Sequence, residues 1–360
     1  MVHNSVGVRQ VGIVGASGYG GAELVRLLEA HPTLDVVTVA AAGSAGQRLD
    51  AVAPHLRGVA PAAATLVPSE PAALADCDVV FCATPHATSL TLAPDLVDAG
   101  KVVIDLSGAF RLDAATFTAA YGLAHPHPEA TPAAYGLPEL FRDELIGARL
   151  IAGPGCYPTA SLLALAPLAG LVDPDGVVVV GMSGTSGAGK SLRADLHASH
   201  AFGNLAPYGA PAHRHTPEIA SHWLRTARSG RGDAAAAGSR PRLSFIPHLV
   251  PTARGMLCTV SAPLTHPLDG DELHARYVAA YADEPFVHVE EAGAWPSVAQ
   301  VVGGNAAHLG AVVDEAGGRV LVACAIDNLV KGAAGQAVQA ANVALGIEEG
   351  AGLTSAGMYP

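Results

Sequence analysis

The chain has 360 residues, half of them apolar and only 14% charged, with a formal net charge of −12. This is ample for large buried cores and excludes a disordered chain, while an acidic balance without a long basic run argues against nucleic acid and anionic membranes as partners. No apolar run reaches the roughly 20 residues that span a bilayer, and the start MVHNSVGVRQ lacks the basic and apolar regions of a signal peptide, so a cytoplasmic protein is expected.

The length predicts two domains. Along residues 1–110 strand and helix alternate: VGVRQVGIVGA (6–16) reads as a strand and YGGAELVRLLEAH (19–31) as a helix with Leu24, Leu27 and Leu28 in its core. LDVVTVAA (34–41), CDVVFCAT (77–84) and KVVIDLS (101–107) read as further strands, the last preceded by the helix SLTLAPDLVDAG. Strands apolar on both faces and linked by helices predict an α/β, doubly wound parallel sheet of the dinucleotide-binding type.

The first strand runs into Gly15-Ala-Ser17-Gly18-Tyr19-Gly20-Gly21, which opens the first helix. Glycines there permit a tight turn and close approach of a pyrophosphate, and the helix N-terminus supplies N–H groups and partial positive charge. The spacing G-x-x-G-x-x-G departs from the usual G-x-G-x-x-G, and a merely structural turn is the alternative. An NAD-preferring site carries an acid at the end of the second strand. Here the strand ends VTVAAAGSAGQR, with Asp35 at the wrong end and Ser44 and Arg48 following, which predicts a preference for NADP. Asp105-Leu-Ser107-Gly-Ala-Phe-Arg111 ends the fourth strand on the edge that carries the glycine turn. Arg111 is thereby a candidate for gripping a substrate anion, or else a capping or salt-bridged arginine.

Next comes AGPGCYPTAS (152–161), a thiol between glycines and Tyr-Pro ahead of the apolar helical run LLALAPLAGL. Proline favours the first helical turn, so Pro158 places Cys156 just ahead of the helix N-terminus. There amides and dipole favour a thiolate, and afterwards an oxyanion. Cys77, Cys82, Cys258 and Cys324 lie in or beside apolar strands, read as buried residues of a reducing compartment.

Beyond Pro158 the segments 175–184, 242–250, 256–264, 307–315 and 318–327 read as strands with few helices between them, LHARYVAAYA (273–282) being one. They predict an α+β domain with a mixed, largely antiparallel sheet. SGTSGAGKS (183–191) has the glycines of an anion cradle without the spacing of a triphosphate loop. Residues 226–242 read as an exposed loop, and KGAAGQAVQAANVALGI (331–347) as a helix returning to the first domain.

A nucleophile needs a proton partner. The candidate cluster is His213-Arg-His215-Thr-Pro-Glu218, in which two histidines two apart share a side if the backbone is extended, and Glu218 orients an imidazole or binds a substrate amide. The rival reading is a metal site of His197, His200, His213 and His215. It leaves GPGCYPTA and the glycine turn unexplained.

Taken together, the chain resembles the N-acetyl-γ-glutamyl-phosphate reductase family, NADP-dependent enzymes of arginine biosynthesis. GASGYGGAEL, DLSGAFRL, YGLPEL, GPGCYPTA, SGTSGAG, HRHTPEI and DNLVKGAAGQAVQ occur in the family's order over nearly the whole chain. The resemblance implies an NADP-binding Rossmann domain of residues 1–153 with 328–360, and a catalytic and dimerisation α+β domain of 154–327. It implies Cys156 as the nucleophile toward N-acetylglutamyl 5-phosphate, with acid–base work at His215, or less favourably His213. Arg111 and Ser107 look like phosphate or substrate contacts. Ser186, Gly187, Gly189 and Asn328 look like cofactor contacts. Glu218 or Tyr208 is expected to bond the acetamide. A small-molecule substrate, NADP(H), no resident metal and a homo-oligomer complete the expectation. The alternatives are an aspartate-semialdehyde dehydrogenase, a non-catalytic nucleotide-binding regulator and the histidine metal site.

Overall fold

Short aliphatic runs build the first sheet: β1 (Arg9–Val14), β2 (Leu34–Ala40), β3 (Val79–Cys82), β4 (Val102–Asp105), β5 (Ala134–Tyr135) and β6 (Leu150–Ala152). The computed structural model describes residues 7–228 and 241–359. They divide into two units, Met1–Gly155 with Ala333–Leu353 and Cys156–Gly332 with Thr354–Pro360.

In the first unit the strands pair in the order β2-β1-β3-β4-β6-β5, every pair parallel. β3 is buried at all its positions, so its sequence shows no alternation. The helices Tyr19–Leu28 and His86–Asp98 pack on the strands, and Gly335–Leu345, at the far end of the chain, packs there too. Gly108 has no room for a side chain, since a β-carbon there would lie 1.9 Å from the Tyr121 hydroxyl.

The second unit holds β7 (Val178–Gly184), β8 (Ala206–Pro207), β9 (Ser244–Val250), β10 (Met256–Pro263), β11 (Val287–Val289), β12 (Ala307–Asp314) and β13 (Arg319–Ile326). Their order is β11-β12-β13-β10-β7-β9-β8, mixed, with only β11–β12 and β7–β9 parallel. β10 alternates buried and half-buried positions along its length, the signature of a sheet with one packed face. The helices Cys156–Leu165 and Gly270–Ala280 pack on this sheet.

A third helix, His215–Arg228, starts inside the histidine motif, whose two histidines would share a side only on extended backbone, and takes in 226–228 of the expected loop. Most of the rest of that loop lies outside the described residues.

The return to the first unit comes at 333 rather than 328, and residues 354–360 stay with the second unit. A buried polar knot accounts for the first shift. Asp327, fully buried, accepts hydrogen bonds from the amides of Gly303 (2.7 Å), Leu329 (2.8 Å) and Val330 (3.2 Å), and pairs with Arg254 at 3.1 Å. Backbone bonds from Asn305 to Thr354 and from Met358 to Val302, both 2.7 Å, hold the tail. Removing a buried acceptor strands its donors. Asp327→Ala is therefore expected to cost on the order of 3 kcal/mol in urea unfolding, whereas a surface change such as Glu315→Ala leaves stability within about 0.5 kcal/mol.

Candidate active site

The helix Cys156–Leu165 begins at the cysteine itself, one residue earlier than its proline suggested, and every residue after Cys156 is buried. A helix leaves carbonyls unmatched at its C-terminus and amides at its N-terminus. Here the carbonyl end is closed: Trp223 Nε1–H donates to Leu165 O at 3.0 Å, and the hydroxyls of Tyr277 and Tyr281 donate to Ala164 O and Leu163 O. The amide end carries Cys156, half-buried and lining a cavity of about 350 Å³ in the second unit. Space for the residue is made elsewhere. A β-carbon on Gly332 would stand 2.7 Å from Cys156 Cβ, and one on Gly181 would stand 2.4 Å from the Tyr157 ring.

The other thiols have no comparable setting. Burial pushes Cys77 and Cys82 up, Cys258 up to about 12, and Cys324 up as well, which keeps them neutral.

His213 and His215 line the same cavity, as does Tyr208. The two imidazoles meet edge to face, centroids 4.9 Å apart. They meet at the entry of the helix His215–Arg228, where His213 Nδ1 accepts the His215 amide at 3.2 Å. His213 thus caps the helix. Burial, helped by the Arg214 charge, lowers its pKa to about 4. The Tyr208 hydroxyl donates to Tyr157 Oη at 3.3 Å, and Tyr157 Oη–H donates to His248 O at 3.0 Å. Glu218 is buried in the first helical turn and is not among the residues lining the cavity. An acid there complements the helix dipole.

Gly187 also lines the cavity, on the turn Thr185–Ala188 after β7, which Gly189 ends at φ 82°. Asn328 braces this turn: its Oδ1 accepts the Gly255 amide at 2.8 Å and its Nδ2 donates to Ser186 Oγ at 2.9 Å. Of the four histidines in the rival metal reading, His197 caps a short helix through the Ser199 amide, and no group of three or more metal-ligating side chains stands together among the described residues.

In the first unit the turn after β1 is a backbone cradle. Gly15 has φ 83°, and a β-carbon there would lie 2.2 Å from Ala83 O; one on Gly21 would lie 2.2 Å from Gly15 O. Gly18 and Gly20 are not crowded, their nearest contacts being 3.4 and 3.9 Å. The protein requires the first two glycines, while the other two leave bare backbone at the helix start, which fits a dinucleotide pyrophosphate. Ser17 and Tyr19 complete this turn, Tyr19 being 43% exposed.

Ser44 ends a short turn after β2, and Arg48 makes an exposed two-point pair with Asp50, 3.0 and 2.6 Å. Ser107 Oγ–H donates to the buried Asp105 at 2.7 Å and its oxygen accepts the Ala109 amide at 3.1 Å. Burial pushes the Asp105 carboxyl up, against the pull of these bonds. Arg111 is buried and donates from Nε to Gly153 O at 2.7 Å and from Nη2 to Leu106 O at 2.8 Å.

Comparison with known proteins gives matches over nearly the whole chain. The family model described as "Semialdehyde dehydrogenase, NAD binding domain" matches residues 10–148, and "Semialdehyde dehydrogenase, dimerisation domain" matches 156–328. The N-acetyl-gamma-glutamyl-phosphate reductase of Acidothermus cellulolyticus is 47% identical over 357 residues, covering 98% of this chain and 99% of the relative. That of Micrococcus luteus is 45% identical over 358 residues, covering 97% and 99%.

The chain belongs to the N-acetyl-γ-glutamyl-phosphate reductase family.

Aspartate semialdehyde dehydrogenase II from Vibrio cholerae, complexed with ASA, has a similar structure, with TM-score 0.67 and 18% identity over 93% of this chain and 98% of its own. The Candida albicans enzyme with NADP gives 0.61 and 16%, over 93% and 98%. At such identity the likeness shows a shared fold alone. Among the described residues no helix is long and apolar enough to cross a membrane.

Gly332 and Gly181 escaped sequence reading because their demand comes from atoms distant in the chain. Tyr157 and Arg214 lay inside the quoted family motifs, yet nothing in the spacing told which polar atoms face the cavity.

A histidine held neutral by burial stabilises the fold above its unfolded pKa near 6.5 and loses that contribution as pH falls toward about 4, because the unfolded chain takes the proton first. His213 is expected to titrate near pH 4 by NMR, and His213→Gln to flatten the loss of stability between pH 6.5 and 4.

Proposed function

We propose that this chain reduces N-acetyl-γ-glutamyl phosphate with NADPH, giving N-acetylglutamate 5-semialdehyde and phosphate through a thioester on Cys156. The observation that carries the reading is the shared cavity of Cys156, His213 and His215 at the amide end of a helix whose carbonyl end is closed. The family supports the substrate, the named relatives being reductases of this acyl phosphate.

The sulfur attacks the acyl carbon, the carbon–oxygen bond to phosphate breaks, and phosphate leaves. The first-turn amides stabilise the oxyanion that forms on the way. When bound, NADPH supplies the hydride that reduces the thioester carbonyl. His215 then works on the resulting oxygen. It gives a proton as the thiohemiacetal forms and takes one back as the carbon–sulfur bond breaks, which returns the thiolate. His213 is less suited to this work, since its Nδ1 accepts a backbone amide and its ring stays neutral to about pH 4. The covalent link divides one hard transfer into two steps and holds the acyl carbon in place between them.

Gly15, Ser17, Gly18, Tyr19 and Gly20 hold the pyrophosphate in this reading. The absence of an acid at the end of β2, with Ser44 half-exposed beyond it, supports NADP over NAD. Arg48, the exposed member of its pair with Asp50, can serve the 2′-phosphate by exchanging that partner, since surface pairs hold weakly. Ser186, Gly187, Gly189 and Asn328 shape the cofactor side of the cavity, Asn328 as a brace. Ser107 and Arg111 set the loop after β4 through their bonds to Asp105, Leu106 and Gly153. Tyr208 receives the acetamide in preference to the buried Glu218. The matched dimerisation domain supports a homo-oligomer.

Purified protein is expected to catalyse phosphate-dependent oxidation of N-acetylglutamate semialdehyde with NADP+ and to stop after iodoacetamide. Absence of phosphate dependence would overturn the reading. Cys156→Ser should lose nearly all turnover and still bind NADPH by fluorescence titration. His215→Ala should lose about 100- to 10,000-fold in kcat, the range of an acid–base group, and a larger loss in His213→Ala would transfer the role. Arg48→Ala should raise the KM for NADPH while leaving that for NADH unchanged.

A further inference from the structure

The acyl-phosphate reading leaves open how the cavity recognises the non-reacting end of its substrate, which carries a carboxylate and an acylated amine on one carbon. Two arginines line the cavity, Arg193 and Arg214. Arg193 already makes a two-point pair with Asp195, which a substrate carboxylate would have to displace. Arg214 lines the same cavity between His213 and His215, exposed at its rim, and among the described residues it has no carboxylate partner and donates no hydrogen bond.

The neighbouring hydroxyl pair has a fixed direction. His248 O can only accept, so Tyr157 must donate to it, and Tyr208 in turn donates to Tyr157. The Tyr208 oxygen is left with lone pairs alone, an acceptor suited to an amide N–H. Tyr208 and Arg214 line the same cavity, and the Tyr208 ring meets that of His213, the residue before Arg214, edge to face with centroids 5.5 Å apart, so cation and acceptor can serve two substituents of one carbon.

We propose that Arg214 is the carboxylate anchor of this cavity and that Tyr208, beside it, accepts the N–H of the adjoining acylamino group. The reacting carbonyl then lies at the half-buried sulfur, and the far end of the substrate reaches the exposed rim. This arrangement distinguishes an acylated amine, which offers one N–H and no charge, from a free ammonium, which Arg214 repels. The inference rests on the acyl-phosphate reading and adds a specificity-determining residue to it.

The oxidative direction separates the two anions, because semialdehyde and inorganic phosphate are then different molecules. Arg214→Met is expected to raise the KM for N-acetylglutamate semialdehyde about 10- to 100-fold, the worth of a charged hydrogen bond. The KM values for phosphate and NADP+ should stay near wild type. Arg214→Lys, with the charge but not the planar fork, should recover part of the loss. Tyr208→Phe should narrow the preference for N-acetylglutamate semialdehyde over the analogue lacking the acetamido group. A rise in the phosphate KM alone would make Arg214 a phosphate ligand and overturn the proposal, as would unchanged KM values. Protection of Cys156 from iodoacetamide by N-acetylglutamate reads the anchor without turnover. Protection present in wild type and lost in Arg214→Met supports it, and equal protection in both overturns it. Inactivity of the wild type with the semialdehyde would count instead against the acyl-phosphate reading.

Discussion

The second unit is organised around the unequal ends of one ten-residue helix. Its last carbonyls are taken by an indole and two phenol hydroxyls drawn from the helices His215–Arg228 and Gly270–Ala280 and the residue after the latter. That closure ties the carbonyl end of the helix to its neighbours, and the opposite, amide end meets the cavity. Cys156 occupies that end, with the cavity in front of it. A helix with its carbonyls loose would place the sulfur less exactly, and the proposed chemistry needs placement above all.

The cavity then divides its labour by protonation and direction. Four thiols are kept neutral by burial, which leaves Cys156 as the half-exposed cysteine. His213, neutral and used as a cap, sets the start of the helix that carries His215. A carbonyl at the end of the tyrosine pair orients both hydroxyls. Low dielectric makes such fixed dipoles count for more than they would in water. The first unit follows the same economy. Asp105, Ser107 and Arg111 hold one loop by bonds to each other and to backbone, and the glycine turn offers amides free of side chains.

Much of this could be read from the chain. Continuous aliphatic runs announced the parallel strands, and the glycine turn, the thiol and the histidine motif all stood out. The very short strands Ala134–Tyr135 and Leu150–Ala152 escaped because two or three residues carry no period. The helix His215–Arg228 escaped because its first residues lie inside a motif read for its spacing; the cap made by His213 starts a helix there. Residues 328–332 group with the second unit, where the bonds of Asp327 to Gly303 and Arg254 join segments far apart in sequence.

What the sequence alone determined is therefore the set of local events: strand and helix periods, turns that only glycine permits, and a cysteine set before a helix. These depend on neighbours a few positions away, and their physics is written in the order of residues. Tertiary structure decided which arginine keeps its charge unengaged, which tyrosine oxygen is left to accept, and which glycines make room for Cys156 and Tyr157. Those outcomes depend on atoms brought together from positions as distant as 157 and 248 or 156 and 332, and no local pattern can encode which polar partner arrives first.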